Sequence, residues 1–280
     1  MTDQIMTLAD GSTIQYGPLN DRIYLMKTGG KCSDRLASNL IDLAKKHNFS
    51  KIFAKVMALH ADQFLTAGYG VEAEVPGFYN GSETCYFLAY YLNHERAYES
   101  ESGEYDRIMQ HALAKKGMGV SSIDSSIFTL RSCTEQDIER IAGVYNTVFE
   151  SYPFPIHDPD YLLKTMRSHV DYFCVEAGNA IISVSSAEMD EGTSNVEMTD
   201  FATLPEWRGH GFAVHLLGVM EREMRGKGIK TAYTIARAAS PGMNITVAKN
   251  NYSYGGRLKN NTNISGNIES MNVWYKKLSR

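Results

Sequence analysis

The sequence is poor in cysteine and has none of the cysteine spacings that bind zinc or build a disulfide framework. Its four cysteines, Cys32, Cys85, Cys133 and Cys174, lie far apart, and no Cys-x-x-Cys pair occurs. A zinc knuckle and a disulfide-stabilised secreted domain are therefore disfavoured. We expect four small buried side chains in a protein of the reducing cytosol.

Long apolar runs and an excess of one charge are also missing. The longest apolar run, residues 86–92, is far too short to cross a bilayer, and residues 1–6 have no basic stretch followed by an apolar one. The formal net charge is −4, and 43% of the residues are apolar. These values predict a soluble cytoplasmic protein with a proper core, which binds neither a membrane nor a nucleic acid.

What the chain does have is a strand, a loop with two glycines and an apolar-periodic helix in direct succession from residue 196 onwards. Pro205 ends the strand, and Gly209 and Gly211 lie in the loop. The apolar residues that recur at helical spacing are Ala213, Leu216, Leu217, Met220 and Met224. Glycine lets the backbone turn tightly against a ligand, and the first amides of a helix lack internal partners. This stretch therefore predicts a binding site for phosphate or pyrophosphate.

Two other interpretations of the loop are weaker. An ordinary helix start with a glycine on its packing face would need no ligand, but the flanking strand and helix favour the anion site. A dinucleotide fold needs Gly-x-Gly-x-x-Gly, and Ala213 and Val214 break that pattern. His210 and His215 are five residues apart and so lie off one helical face, which makes a metal pair improbable.

The element order around the loop predicts the fold of the carboxy-terminal part of the chain. From residue 127 the patterns read as a strand, two helices, three antiparallel strands, the loop with its helix, a strand, a helix and two strands. Thr134-x-x-Asp137 is a capping-box variant that opens the first of these helices. This order, together with Arg208-x-x-Gly211-x-Ala213, resembles the GNAT superfamily of N-acetyltransferases, in which that loop holds the pyrophosphate of coenzyme A.

The first part of the chain repeats part of this order and suggests a diverged internal repeat. Phe64-x-x-x-Gly68-Tyr69 and Val247-x-x-x-Asn251-Tyr252 occupy matching places. We therefore predict an α/β (α+β) GNAT acyltransferase fold with a mixed central sheet, preceded by a smaller degenerate GNAT-like half-domain. The expected divisions are a half-domain at residues 1–94, a linker with one helix at 95–125 and the catalytic domain at 126–280. The first copy lacks the glycine loop, so we expect that it cannot hold coenzyme A.

A closer resemblance extends over nearly the whole chain. Five segments look like those of β-lysine N-acetyltransferases: residues 73–81, 151–155, 197–206, 240–244 and 260–264. The fourth segment reads Ser-Pro-Gly-Met-Asn. The resemblance implies transfer of acetyl from acetyl-CoA, as co-substrate, to the N6 amine of L-β-lysine. The product would be Nε-acetyl-β-lysine, a compatible solute made under salt stress.

Acetyl transfer to an amine needs a base, because an alkyl ammonium with a pKa near 10.4 must lose a proton before it attacks a thioester. In this superfamily a carboxylate on the strand before the loop commonly takes that proton, which makes Glu197 and Asp200 the candidates. The two-residue period of a strand places them on opposite faces, so only one can face the amine, and we prefer Glu197. A carboxylate on a solvated strand face is the alternative for either residue. Glu188, on the preceding strand, is a candidate charge partner for the amine.

The expected coenzyme site follows the strand and the loop. The backbone of Phe201, Ala202 and Thr203 would pair with pantetheine as an added strand does, and an N–H there could support the oxyanion. Arg208 and the loop amides would take the pyrophosphate, with His210 as an exposed filler. The complete set of expected coenzyme residues is Phe201, Ala202, Thr203, Arg208, Gly209, His210, Gly211, Phe212, Ala213, Ser240 and Asn244.

Acceptor binding and the general acid are less well defined. Tyr152 and Phe154 are expected to wall the acceptor pocket, unless they are plain core aromatics. Arg237 or Asn261 could meet the acceptor carboxylate. Many superfamily members place a tyrosine where the alignment puts Val247, which cannot donate a proton.

Three alternatives therefore remain for the departing thiolate. Tyr252 or Tyr254 could protonate it, or it could leave unassisted, which a thiol pKa near 8.5 makes tolerable.

Two further functions compete with acetylation of β-lysine. The chain could acetylate another amine, such as a polyamine or a protein lysine, or it could be a catalytically silent acyl-CoA-binding protein. The expected partners are a small-molecule amine and, for assembly, a second copy in a homodimer. No metal is expected.

Overall fold

All the strands that the structure describes join one mixed sheet. A computed structural model describes residues 3–30, 33–119, 122–264 and 266–278. The strands are β1 (Gln4–Thr7), β2 (Thr13–Gly17), β3 (Arg22–Lys27), β4 (Lys51–Met57), β5 (Gly70–Tyr79), β6 (Glu83–Tyr91), β7 (Phe128–Ser132), β8 (Val170–Ala177), β9 (Ala180–Asp190), β10 (Asn195–Thr203), β11 (Thr231–Arg237), β12 (Ser253–Ile264) and β13 (Asn267–Lys277).

The helices pack on the faces of this sheet. They are α1 (Leu36–Lys46), α2 (Ala61–Thr66), α3 (Ser102–Ala114), α4 (Ile138–Val148), α5 (Pro159–Met166), α6 (Phe212–Gly226) and α7 (Pro241–Lys249). Thr134 and Asp137 form the predicted capping box just before α4. No described helix is long and apolar enough to span a membrane.

The sheet consists of two halves that repeat one strand order. Its order is β1-β2-β3-β4-β6-β5-β12-β13-β11-β10-β9-β8-β7. Outward from the β5–β12 junction, the amino-terminal half runs β5-β6-β4-β3-β2-β1 and the carboxy-terminal half β12-β13-β11-β10-β9-β8. Each half has one parallel pair, β3 with β4 and β10 with β11, and all other neighbours are antiparallel. The repeat expected from the sequence is therefore present in the topology, whereas the domain divisions at 94 and 126 stay predictions.

The helices cover the two faces unequally. In the carboxy-terminal half, α6 and α7 pack on one face and α4 and α5 on the other, around separate buried clusters. In the amino-terminal half, α1 packs on one face over Ile23 and Leu25. Its opposite face carries Tyr24 and Phe53, which pack in one cluster with Tyr233 of β11. No described helix of the amino-terminal half belongs to that cluster, and this face is the one that reaches the functional site described below.

The cysteines follow the expectation in part. Cys85 and Cys174 are buried thiols, as expected, whereas Cys133 is only partly buried and Cys32 lies outside the described residues.

The junction between the halves depends on a glycine. Gly256 of β12 lies opposite Ala73 of β5, with a φ of +141°. A Cβ at this position would lie 2.2 Å from the carbonyl oxygen of Glu72 and 2.6 Å from the Cα of Ala73. Any other residue must push the two strands apart, so glycine permits the two half-sheets to join.

We expect Gly256→Ala to lower the free energy of unfolding by roughly 2–4 kcal/mol, because it combines a steric clash with an unfavourable φ. Denaturant unfolding measures this change. Gly143→Ala is the matched control, since Gly143 lies inside α4 with no atom within 4 Å of the added Cβ. The control should gain up to about 1 kcal/mol. Equal stabilities of the two variants would contradict the role given to Gly256.

Candidate active site

A cleft opens between β10 and β11 where their pairing stops. The two strands pair only over residues 195–197 and 231–233. Beyond Glu197 and Tyr233, β10 stays paired with β9 as far as Thr203, and β11 stays paired with β13 as far as Arg237. The facing edges therefore separate and leave backbone groups free to pair with an extended, amide-containing ligand.

A β-bulge on β10 corrects the expected orientation of its two carboxylates. The register between β9 and β10 shifts between Thr199 and Ala202, and Asp200 has a φ of +54°. An extra residue reverses the alternation of side chains. Glu197 and Asp200, which the two-residue period placed on opposite faces, consequently line the same cavity.

The glycine loop at the end of β10 has the geometry of an anion site. Gly209 and Gly211 have φ values of +89° and +76°, and no atom lies within 4 Å of a Cβ built on either. Gly211 is the N-cap of the 15-residue α6 and provides no side-chain cap. The first amides of α6 therefore lack an intrahelical partner and a side-chain cap. Arg208 is exposed beside them, and its Nε donates to the carbonyl oxygen of Thr203 at 3.4 Å.

The other loop side chains serve the local structure. The His210 ring is exposed, stacks on Phe212 and lies 3.0 Å through Nδ1 from the Trp207 carbonyl oxygen. The side chains of Ala202 and Phe212 are buried, so these two residues offer only backbone groups to a coenzyme. Phe201, Thr203 and Ala213 are half-buried along the same strand and helix start.

Two residues expected at the coenzyme site have structural roles instead. Asn244 is fully buried, and its Nδ2 donates to the carbonyl oxygens of Arg237 and Ser240. Its Oδ1 accepts from Asn272 and Trp274. This side chain is therefore unavailable, and the expectation for Asn244 was wrong. The Ser240 hydroxyl caps α7 by accepting from the Met243 amide at 3.3 Å.

The apex of the cleft is its closed end at Glu197 and Tyr233, where the pairing of β10 and β11 stops. A cavity adjoins this apex and brings together residues from both halves of the sheet. Its acids lie on β9 and β10: Glu188, Glu197 and Asp200. Tyr152, Phe154 and Asn261, three of the residues predicted for the acceptor, also line it. The amino-terminal half contributes Arg22, Tyr24, Met26, Phe53 and Lys55. This last set was not predicted from the sequence, although alternation along a strand places Arg22, Tyr24 and Met26 on one face.

Burial and a neighbouring acid adjust the ionisation of Glu197. Burial raises the pKa of this carboxyl to about 7, and Glu188, its cross-strand neighbour, also raises it. The Lys55 ammonium and the hydrogen bond from Tyr233 act in the opposite direction. Burial disfavours the Lys55 charge, but Tyr24, Glu197 and Glu188 together raise the pKa of its ammonium. A carboxyl with a pKa near neutrality can accept a proton at physiological pH.

Asp200 is held by two hydroxyl groups. Tyr152 donates to its Oδ1 at 2.6 Å, and Ser186 donates to its Oδ2. Burial raises the pKa of Asp200, and these two hydrogen bonds oppose the shift. With both oxygens engaged, Asp200 orients the cavity wall through Tyr152 and is less available than Glu197 as a base.

Three of the residues expected to bind the acceptor or to act as the acid lie elsewhere. Arg237 forms a two-point ion pair with Glu269 and does not line the cavity, so its assignment to the acceptor carboxylate was wrong. Its alternative, Asn261, does line the cavity. The Tyr252 hydroxyl is buried in the core beside Glu221 and cannot reach the cleft. Tyr254 packs edge-on against Trp274, away from the cavity.

Val247, at the usual tyrosine position, is fully buried in the core shared by α6 and α7.

No group of three or more His, Cys, Asp or Glu side chains in the described part of the chain could hold a metal ion.

Comparison with known proteins gives a consistent family. Residues 141–242 match the model of the acetyltransferase (GNAT) family. A Methanococcus maripaludis protein named beta-lysine N(6)-acetyltransferase is 40% identical over 98% of this chain and 98% of its own length. A Methanosarcina mazei protein of the same name is 32% identical over 88% of this chain and 97% of its own. N-acetyltransferase YodP of Bacillus subtilis is 32% identical over 95% of this chain and 96% of its own.

Proposed function

This chain belongs to the acetyltransferase (GNAT) family and is an acetyl-CoA-dependent N-acetyltransferase, and we propose that it acetylates the N6 amine of L-β-lysine. The observation that carries this acceptor is the cavity at the cleft apex. It combines carboxylates of β9 and β10 with cations from the amino-terminal half, which suits a small molecule that has both amines and an acid. The names of two of the relatives support the same acceptor. The product would be the compatible solute Nε-acetyl-β-lysine.

Acetyl-CoA would lie along the cleft. In this proposal the amides of residues 209–213 and the Arg208 guanidinium hold the pyrophosphate, where helix amides and a cation favour an anion. The pantetheine amides pair with the free edge of β10 around residues 201–203. The thioester then reaches the apex, and a backbone N–H at the bulge lies where it could stabilise the oxyanion.

Glu197 would act as the base. Its carboxylate takes one proton from the N6 ammonium, directly or through one water, and the free amine attacks the thioester carbon. The tetrahedral intermediate collapses with loss of the CoA thiolate, and the second proton of the amide nitrogen passes to that thiolate, directly or through water. Glu188 supports the positive charge of the bound amine. Because Tyr252 and Tyr254 both lie away from the cavity, the thiolate leaves without a tyrosine acid, which a thiol pKa near 8.5 allows.

Other functions are less well supported. A protein lysine would need an open groove, whereas this acceptor cavity is walled by the loop that carries Tyr152 and Phe154 and by two strands of the other half. A polyamine has no acid to match Arg22. A silent acyl-CoA-binding protein would not require a carboxyl with a pKa near 7 at the apex of the cleft.

Location and assembly complete the proposal. Unbridged thiols at Cys85, Cys133 and Cys174 suit the cytoplasm. A homodimer is the proposed assembly, although one chain supplies all the residues named for the cavity. Light scattering after gel filtration measures the mass in solution.

Release of free thiol from acetyl-CoA tests the acceptor. We expect kcat/KM for L-β-lysine to exceed that for L-lysine, spermidine and a lysine-containing peptide by at least roughly tenfold. Spermidine and an internal peptide lysine lack the free carboxylate, and L-lysine has its second amine one carbon nearer to the carboxylate than β-lysine has. A preference for spermidine or the peptide would reject β-lysine as acceptor. Tight CoA binding without turnover on any amine would favour the silent protein.

The base assignment predicts a defined pH dependence. Because Glu197 must be ionised, kcat/KM should rise with pH through about 7. Glu197→Gln should lower turnover roughly 100-fold or more and remove this limb, with little change in the Kd of acetyl-CoA. Glu188→Gln should keep the limb but move it to lower pH, because Glu188 raises the pKa of Glu197.

Glu206→Gln, at an exposed position in the loop after β10, serves as control and should leave the profile unchanged. An unaltered profile for Glu197→Gln would remove this residue as the base.

A further inference from the structure

Arg22 is a buried cation that has no ion-pair partner among the described residues. The residue is only 4% exposed. Nη1 donates to the Asn261 carbonyl oxygen and, at 3.1 Å, to the Thr262 hydroxyl. Nε is buried without any acceptor. Two cations of the same half that lie outside the cavity are ion-paired, Arg96 with Asp21 and Lys51 with Glu72.

An unpaired buried charge is costly, so its retention calls for an explanation. Burial lowers the pKa of Arg22 only to about 10, so the guanidinium remains charged at neutral pH. It lies 5.3 Å from the ring centroid of Tyr24 and 5.5 Å from that of Phe53, and it lines the acceptor cavity. A charged fork with unused donors in a cavity is the usual partner of a ligand carboxylate.

A second unpaired group lies beside it. The Oδ1 of Asn261 is a buried acceptor with no donor, on the residue whose backbone carbonyl binds Arg22. Asn261 also lines the cavity. An acceptor without a donor suits an ammonium group, just as a guanidinium without an acid suits a carboxylate. Together they suit the head group of an amino acid, which carries a carboxylate and an ammonium close to each other.

We propose that Arg22 and Asn261 form a head-group subsite that binds the C1 carboxylate and the C3 ammonium of the acceptor. The amino-terminal half thereby selects amino acids over plain polyamines. This inference rests on the proposed function. It leaves the N6 amine for the other end of the cavity, at Glu197.

Tyr24 lies near both the proposed head-group subsite and Glu197. Tyr24 follows Arg22 by two residues on the same face of β3 and also lines the cavity. Burial, and after it the nearby Glu197 carboxylate, raise the pKa of Tyr24, whereas Lys55 lowers it. Tyr24 therefore lies close to both the proposed head-group subsite and the base.

Two acceptors that each lack one head group test the subsite. 1,4-Diaminopentane is β-lysine without the carboxylate, and 6-aminohexanoate is β-lysine without the C3 amine. Arg22→Gln should lower kcat/KM for β-lysine roughly 100-fold but change that for 1,4-diaminopentane less than about threefold. Asn261→Leu should lower kcat/KM for β-lysine at least roughly tenfold but leave that for 6-aminohexanoate nearly unchanged.

For each variant, the ratio of kcat/KM for β-lysine to that for the analogue does not depend on the folded fraction, because both acceptors are measured on one preparation. Arg96→Gln removes a buried cation outside the cavity and should leave the ratio of kcat/KM for β-lysine to that for 1,4-diaminopentane unchanged. If Arg22→Gln does not fold, Arg22→Lys should still lower the ratio, since an ammonium cannot replace the two-point contact.

If Arg22→Gln lowered kcat/KM equally for β-lysine and for 1,4-diaminopentane, the proposed subsite would be wrong. So would a parent enzyme that uses 1,4-diaminopentane as efficiently as β-lysine. A parent enzyme inactive on β-lysine would instead reject the proposed function, so the two failures are distinguishable.

Discussion

The separation of two neighbouring parallel strands is the constraint on which the rest of the site depends. β10 and β11 pair over three residues each, and then each follows its own antiparallel neighbour. Backbone groups that lose their pairing inside a sheet need new partners, which water supplies in an open cleft and an extended ligand can replace. Glu197 is the last paired residue on β10, so the acid lies at the apex, and the glycine loop follows at the strand's end.

The two half-sheets share a topology but have diverged in chemistry. In the carboxy-terminal half, the helix after the first parallel strand begins at Gly211, with its amides directed at open space. In the amino-terminal half, the N-cap of α1 is Arg35, and Gly29 and Gly30 lie earlier in the connecting segment and not at the helix start. That half instead brings Arg22 and Lys55 to the cavity that the acids of β9 and β10 also line. The glycine junction at β5 and β12 allows both halves to form one sheet, which keeps these cations opposite the acids of β9 and β10.

The sequence was informative where local rules decide the structure. The family, the element order, the capping box at Thr134 and the helix after Gly211 follow from periodicity, glycine and resemblance, and the structure agrees with them. The rule of alternation failed at Asp200, because a bulge cannot be read from side-chain polarity. Arg237 and Asn244 were assigned by residue type, but their polar groups were already used by Glu269 and by the ends of α7.

The part of the site that could not be predicted is the part built from distant segments. The pattern on β3 showed which side chains share a face with Arg22, but not which face of the other half they would meet. That arrangement depends on the order of strands across the junction, to which each strand's own sequence contributes little. The raised pKa of Glu197 has the same origin, because burial and the cross-strand Glu188 appear only in the folded sheet.

A crystal structure with CoA and L-β-lysine bound tests the central claim most directly. The account predicts the diphosphate against the amides of residues 209–213, the pantetheine between β10 and β11, and the N6 nitrogen within hydrogen-bond reach of Glu197, directly or through one water. A nucleotide bound away from that loop, or an N6 amine far from Glu197, would contradict it.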